Sequence, residues 1–484
     1  MPQVISQPKS TDVTLRPLCV DLDGTLVKSD TLVDSLLALM RTHPAAAFKL
    51  PFHLLRGKAA FKAFVTESIS LDVAHLPYNL KVLEFLRVQH SQGRDLYLAT
   101  GADLTLARRV ADHLGIFRDV LGSDGTTNLT GDRKLAGLSS RLGRDDFDYI
   151  GNATPDLPLL AQAKEPMLAN PSLALRIRLR SRGIRPVREF HERGNAAISM
   201  LRAMRPHQWA KNLLVFLPLL LSHSVGIDRL RTAWIAFCCF SFTASATYIV
   251  NDLLDIESDR CHPHKRLRPF AAGNLSPFTG IGMFVVLLLL ALGCALLLPL
   301  TFLGWLLLYL GMTLAYSTYL KRIPLVDVLV LSGLYTLRLL AGSTATGSHI
   351  SHWLGGFSVF LFFSLAIAKR FAELENLNAS GSVPRNGRGY LLADIDQLRS
   401  FGTSSAFAAV VIFSIYISGS DVTKLYRNPA LLWLIMPLMM LWLSRVWLLA
   451  SRGELHEDPV VFAITDRTSL LIGAAVAVVA LLAI

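Results

Sequence analysis

Asn251, Asp252, Asp255 and Asp259 stand at the end of a strongly apolar run, and Lys265, Arg266 and Arg268 follow directly. If the run is helical, Ser245, Tyr248, Asp252, Asp255 and Asp259 recur at steps of three and four and share one face, with Asn251 beside it. A carboxylate at mid-membrane costs about 2.5 to 3.5 kcal/mol on insertion scales, and less near the end of a span, so several stacked together need compensation. A divalent metal supplies it. Magnesium takes carboxylate oxygens together with phosphate oxygens of a substrate, and the basic residues neutralise what remains of a diphosphate. The cluster therefore reads as a magnesium–diphosphate site at a membrane surface rather than a solvated loop that begins with charges.

The theme recurs further along the chain. Tyr316, Lys321 and Arg322 lead into Asp327, and Arg338 lies eleven residues on, about three helical turns deeper on nearly the same face. A buried arginine calls for an anion, either a substrate phosphate or a carboxylate in an internal ion pair. Lys369, Arg370, Glu373 and Glu375, with the polar stretch to Tyr390, form a third loop that either caps the site or simply extends a helix into solvent.

The elements that must position these residues divide the chain of 484 residues in two. Hydrophobic residues make up 52% and charged residues 17%, with a positive mean hydropathy. Residues to about 200 are ordinarily polar, whereas from about 208 onward apolar runs repeat, each long enough to cross a bilayer. Nine spans are expected, near 209–225, 231–251, 277–298, 301–318, 325–345, 353–370, 404–420, 429–449 and 467–484. With the N-terminus inside, the loops after the even-numbered spans hold Arg260, Lys265, Arg266, Arg268, Lys321, Arg322, Lys369, Arg370, Arg385, Arg388, Arg399, Arg452 and Arg467. The opposite loops hold only Arg229, Arg231, Lys424 and Arg427. By the positive-inside rule this puts the 251–268 cluster on the cytoplasmic side of an inner membrane. The same placement accounts for the net charge of +12 without invoking nucleic acid. The five cysteines have no metal-like spacing and imply no disulfide framework. Met1 to Arg16 lacks an apolar core of signal-peptide length, so the first domain is expected in the cytosol.

From about 200 onward the chain resembles the UbiA superfamily of intramembrane transferases, through Asn251-Asp252-x-x-Asp255-x-x-x-Asp259 and the second acidic element two spans later, reduced here to Asp327. Arg205-Pro-His-Gln-Trp-Ala-Lys211-Asn212 and Asp259-Arg-Cys-His262-Pro-His-Lys265-Arg266-Leu-Arg268-Pro resemble the decaprenyl-phosphate phosphoribosyltransferase branch. That resemblance implies an all-α membrane domain over 207–484, with 5-phosphoribosyl diphosphate as donor and a polyprenyl phosphate as acceptor attacking its C1 carbon. Mg2+ would be held by Asn251, Asp252, Asp255 and Asp259, with Asp327 for a second ion. Lys211, Tyr248, His262, Lys265, Arg266, Arg268, Tyr316, Lys321 and Arg338 are the substrate-binding candidates. The acceptor phosphate is already ionised, so no strong general base is needed. Assembly into a homo-oligomer is left open.

In the polar half, Leu18-Cys-Val-Asp21-Leu-Asp23-Gly24-Thr25 is a short apolar strand running into Asp-x-Asp-Gly-Thr. Companions follow in order: a strand ending in Thr100-Gly-Ala, then Gly131-Asp-Arg-Lys134, then a strand ending in Gly151-Asn152-Ala-Thr-Pro-Asp156. Together these resemble the haloacid-dehalogenase-like hydrolases. The resemblance implies an α/β Rossmann-like fold over 13–180, its site at the carboxyl ends of the strands, and a helical cap from about 30 to 90. Asp21 would attack phosphorus, Asp23 would act as acid and then base, and Thr100 and Lys134 would hold phosphate. Magnesium would sit among Asp21, the Asp23 carbonyl, Asn152 and Asp156. Asn152 stands where the family commonly has an acid, which removes one negative charge from the metal site. Residues 181–206 are expected as a basic linker, its arginines against anionic headgroups.

Fusion of the two halves suggests that the membrane domain makes a polyprenyl-phosphoryl-5-phosphoribose and the cytosolic domain removes its 5-phosphate. The alternatives are an aromatic prenyltransferase using a polyprenyl diphosphate and a hydroxybenzoate-like or quinone-precursor acceptor beside an inactive hydrolase domain, and a transporter. Acids clustered at one face rather than at the midplane argue against transport.

Overall fold

A computed structural model describes residues 15–143, 146–223, 225–379, 389–455 and 459–484. Arg385 and Arg388, part of the charge asymmetry above, lie outside them. The chain divides into two compact units, one of residues 1–203 and 252–281, the other of 204–251 and 282–484.

The first unit is built on a parallel sheet of six strands. The strands β1 (Leu18–Val20), β2 (Leu96–Asp103), β3 (Asp119–Ser123), β4 (Asp148–Gly151), β5 (Pro166–Ala169) and β6 (Arg188–Phe190) are ordered β3-β2-β1-β4-β5-β6. This is the doubly wound order, in which chain direction switches beside the central strand and leaves a crevice at the strands' carboxyl ends. β1 pairs on both sides, Cys19 opposite Tyr97 and Tyr149. Its three residues are wholly buried, as a run of apolar side chains covered on both faces requires. The helices start and stop where local chemistry dictates. Asp30 and Asp103 cap Thr31–Thr42 and Leu104–Leu114 by accepting backbone N–H bonds. Gly115 (φ 65°) closes the second of these in the left-handed region. β6 extends the sheet into the segment expected as a linker, and its Arg188 guanidinium lies over the Phe85 and Phe190 rings.

The 252–281 segment belongs to this unit. Arg260 is buried, and its guanidinium donates to Asp34 at 2.8 Å, to Ser29 Oγ at 3.1 Å and to the Ala271 carbonyl at 3.1 Å. Asp34 also accepts from Ser29 at 2.6 Å. Removing one partner of a buried ion pair leaves an uncompensated charge, at a cost of about 3–5 kcal/mol. Arg260→Leu should therefore lower the apparent melting temperature sharply in detergent, while Lys265→Leu, at an exposed position, should leave it near the parent value.

The second unit is helical. Among the described residues, seven helices are long and apolar enough to cross a membrane: Ile227–Leu254, Pro277–Ala295, Leu300–Thr318, Val326–Thr346, His352–Asn378, Leu392–Ser418 and Pro429–Ser451. An eighth is counted if Pro459–Thr465 and Arg467–Ala483, bent by 79°, are one span. This corrects the expected nine. The final span is broken because Asp466 caps Arg467–Ala483, accepting from Ser469 N, and is held by Arg445 at 2.6 and 3.1 Å. The expected first span is a 3-10 run, Pro206–Phe216, followed by the short helix Leu217–Leu221. Arg205 is left-handed (φ 53°), Pro218 supplies no N–H, and Asn212 turns inward, so a continuous α-helix does not form. A Cβ on Gly342 would collide with the Val215 carbonyl, so this glycine lets the run pack its backbone directly on Val326–Thr346.

Candidate active sites

In the α/β unit, the chain leaves β1 at Asp21 and folds back on itself, with Leu26 N donating to Asp21 O and Val27 N to Leu22 O. Gly24 has φ 75°, and a Cβ there would strike the Asn152 amide, which places Asn152 against the Asp21–Gly24 turn. Lys134, in the first turn of Asp132–Leu142, is almost fully buried. It donates to Asp21 Oδ1 at 2.7 Å and to Asp156 Oδ1 at 3.1 Å. Asp156 accepts in addition from Tyr149 OH at 2.9 Å and from the Asn152 and Ala153 N–H groups at 3.1 and 3.2 Å. Four donors therefore fix Asp156, which in this arrangement sets the position of Lys134. Thr100 is buried at the end of β2 and its hydroxyl accepts from Ala102 N at 3.0 Å.

The two aspartates of the turn are separated electrostatically. Desolvation raises Asp21 to about 6, against the pull of Lys134. Asp23 is raised to about 8, first by desolvation and then by the charges of Asp30 and Asp21, while its Oδ1 accepts from Thr31 N at 2.8 Å. The second carboxyl is thus held protonated to a higher pH than the first, an ordering suited to a proton donor beside a nucleophile. Sequence reasoning missed Lys62. From the helix Lys58–Ser68 its ammonium reaches the Gly101 carbonyl at 2.6 Å and Asn128 Oδ1 at 2.8 Å, beside Thr100, and desolvation lowers its pKa. Asp21 and Asn152 converge on one turn, which suits a divalent ion held by a carboxylate and an amide oxygen.

The acidic element also lies partly in this unit. Helix Ile227–Leu254 breaks at Asp255 (φ −97°, ψ 6°), and a short helix, Ile256–Arg260, restarts after it. The expected unbroken helical face from Ser245 to Asp259 is therefore interrupted. Asp252 and Asp259 still converge, because Arg268 Nη1 donates to both, at 3.2 and 2.7 Å. A cation position shared by two carboxylates suits a divalent ion, with the arginine released to a phosphate. Asp255 pairs instead with Arg41 at 3.4 Å. His262, Lys265 and Arg266 are exposed, and His262 Nδ1 accepts from the His264 and Lys265 N–H groups. Among the described residues, the group of three histidine, cysteine or acidic donors within 4.8 Å of one another is Asp72, His75 and Cys261, all exposed. The aspartates of the acidic element are spanned by a guanidinium rather than closed on each other.

In the helical unit, Lys321 donates to Asn251 Oδ1 at 3.2 Å, and Lys211 and Arg205 lie over the Tyr335 and Tyr248 rings. Asp327 is fully buried. It accepts from Arg370 Nε at 2.7 Å and from Tyr390 OH, and the same guanidinium reaches Glu373 at 2.7 Å and Tyr316 OH at 3.4 Å. Arg370, which lies within the helix His352–Asn378 rather than in a loop, and Tyr390 thus both reach Asp327, a pairing the sequence reading did not make. Arg338 is buried and its acceptors are neutral: Asn212 Oδ1 at 2.8 Å, the Leu334 carbonyl at 2.6 Å and Tyr309 OH at 2.9 Å. Asn212 in turn donates to Ser241 at 3.1 Å. An internal ion pair is not what holds Arg338, whose positive charge is surrounded by polar groups and by the Tyr309 and Tyr335 rings.

Helices of spanning length, with Asp252 near the end of one and Asp327 in the first turn of another, are the architecture of a polytopic membrane protein. Residues 212–470 match the UbiA prenyltransferase family, and the chain belongs to that family. It is 38% identical over 468 residues to the uncharacterized protein y4nM of Sinorhizobium fredii, covering 95% of this chain and 90% of that one. It is 35% identical to nodulation protein NoeC of Azorhizobium caulinodans, covering 56% of this chain and 88% of that one. It is 38% identical over 238 residues to the decaprenyl-phosphate phosphoribosyltransferase of Corynebacterium glutamicum, covering 48% of this chain and 70% of that one.

Proposed function

We propose that the membrane half transfers 5-phosphoribose from phosphoribosyl diphosphate to a polyprenyl phosphate, and that the N-terminal half is a haloacid-dehalogenase-like phosphatase that removes the 5-phosphate. The observation that carries the first part is the similarity to decaprenyl-phosphate phosphoribosyltransferases, which covers 48% of this chain at 38% identity in one case and 47% at 34% in another. The acceptor's phosphate oxygen forms a bond to C1 of the ribose as the bond from C1 to the diphosphate oxygen breaks, and pyrophosphate leaves. Asn251, Asp252, Asp255, Asp259 and Asp327 are the proposed Mg2+ ligands, and the ion, when bound, would neutralise charge on the leaving diphosphate. Arg268 exchanges Asp252 and Asp259 for a phosphate oxygen, and Lys265, Arg266 and Lys321 add positive charge. Arg338, whose partners among the described residues are neutral, supplies an anion site for the donor. Replacing it with glutamine should raise the KM for phosphoribosyl diphosphate at least tenfold, by removal of a charge-assisted contact, with little change in the KM for the lipid. Steady-state kinetics with each substrate varied checks this.

For the second part, Asp21 attacks phosphorus to form an aspartyl phosphate while Asp23 gives its proton to the leaving ribose oxygen. Asp23 then takes a proton from the water that hydrolyses the intermediate. Lys134 and Thr100 hold the phosphate oxygens. Both carboxyls are raised by burial, Asp23 further than Asp21, and that ordering supports this division of roles. We place both sites in the cytosol at the inner membrane, on the strength of the basic loops, and the burial of Arg260 against Asp34 keeps the acidic element with the N-terminal domain. The test is incubation with Mg2+, labelled phosphoribosyl diphosphate and polyprenyl phosphate, followed by mass analysis of the lipids.

A further inference from the structure

The α/β unit carries a surface that the proposed chemistry does not use. Residues 44–56 are wound as two short helices, Pro44–Ala47 and Leu50–Leu55, joined through Phe48 and Lys49, whose own backbones are helical (φ −65°, ψ −19° and φ −85°, ψ −16°). Phe48, Phe52 and Leu55 recur at i, i+4 and i+7 and so fall on one face. They are 84%, 72% and 87% exposed. Leaving large apolar side chains in water is unfavourable, so a row of three points to a partner that covers it.

Charge and position identify the partner. Between Asp34 and Glu67 the chain has no acid, whereas Arg41, Lys49, Arg56, Lys58 and Lys62 fall within that interval. Arg41 and Lys62 are engaged within the domain, which leaves Lys49, Arg56 and Lys58, all exposed, along the apolar face, and that combination matches an anionic headgroup layer over hydrocarbon. Arg41, in the last turn of Thr31–Thr42, donates to Ser258 Oγ at 3.0 Å and reaches Asp255 at 3.4 Å. Asp255 is the first residue beyond the membrane-spanning helix Ile227–Leu254. The exposed face thus begins a few residues after a side chain that pairs with Asp255, the residue directly following that helix in the chain.

We propose that Phe48, Phe52 and Leu55 insert into the interfacial layer of an anionic bilayer, with Lys49, Arg56 and Lys58 on its phosphates. This anchors the α/β domain at the membrane, where a lipid-borne phosphate is presented. The anchor rests on the chain's being a membrane protein and stands whether or not the domain is a phosphatase.

The test uses the full chain carrying Cys261→Ser and Ala45→Cys, an exposed position three residues before Phe48 and so on the same side, labelled with bimane and reconstituted into vesicles of phosphatidylglycerol and phosphatidylcholine. Cys261→Ser alone gives the background, and Arg87→Cys, on an exposed part of the helix Leu80–Ser91, gives a solvated control. The expected result is strong quenching at position 45 by lipid-tethered nitroxide with weak quenching by iodide, the reverse pattern at position 87, and several-fold less lipid quenching without phosphatidylglycerol. Adding F48S, F52S and L55S together should make position 45 behave like position 87. Quenching at 45 that matches 87 in the parent overturns the proposal. So does shielding from both quenchers, which would mean that protein, such as a second copy, covers the face.

Discussion

Asp252→Asn should abolish lipid labelling from phosphoribosyl diphosphate, with a fall in kcat/KM of about 100-fold or more, the scale seen when a preorganised electrostatic group is removed from a reacting centre. Asp252 is buried, at the end of a spanning helix, and shares one arginine nitrogen with Asp259. Asparagine keeps the shape and loses the charge. Arg268 then pairs with Asp259 alone, and the position between the carboxylates loses half of its anionic character. Folding should survive, because a neutral amide in place of a buried carboxylate still offers an oxygen to Arg268. Unchanged thermal stability together with lost transfer is the expected combination. If transfer persists at the parental rate, Asp252 holds Arg268 for packing and has no part in the donor site. Chelation with EDTA should produce the same loss in the parent protein, restored by added Mg2+.

Asp21→Asn should leave transfer intact and stop dephosphorylation, so that the lipid carrying the 5-phosphate accumulates. The expected loss of phosphate release is about 10⁴-fold or more, since a nucleophile has no substitute in its own reaction. Lys134 keeps Asp156 as a partner in the variant, so its placement does not depend on Asp21 alone. Mass analysis separates the two lipids by the mass of one phosphoryl group. Equal amounts of the dephosphorylated lipid in parent and variant would remove the N-terminal domain from the reaction sequence.

Much of the first unit is legible from residue order. Short apolar runs ending in Asp21, Thr100 and Asn152 mark parallel strands, and the doubly wound order brings their carboxyl ends together. Asp252 and Asp259 were readable by helical spacing, yet the break at Asp255 was not. The Arg41 partner of Asp255 is far away in the chain and leaves no local signal. The same holds for Arg260 with Asp34, 226 residues apart, and for Arg370 and Tyr390 with Asp327, at separations of 43 and 63. Each pair was composed of residues visible as charged or aromatic, without any pattern that joined them. The first expected span departs from an α-helix for another reason. Apolar content is high enough over 209–225, but Pro206, Pro218 and the inward-facing Asn212 impose a tighter winding that a hydropathy window does not register.

The central claim is that this chain joins an activated phosphoribose to a lipid phosphate. Purified protein in polyprenyl-phosphate-containing vesicles, supplied with Mg2+ and phosphoribosyl diphosphate labelled in the ribose, tests it most directly. The account predicts a labelled lipid, one pyrophosphate released per lipid formed, and subsequent release of inorganic phosphate. An unlabelled lipid fraction, alongside coupling of a polyprenyl diphosphate to a hydroxybenzoate under the same conditions, would contradict it.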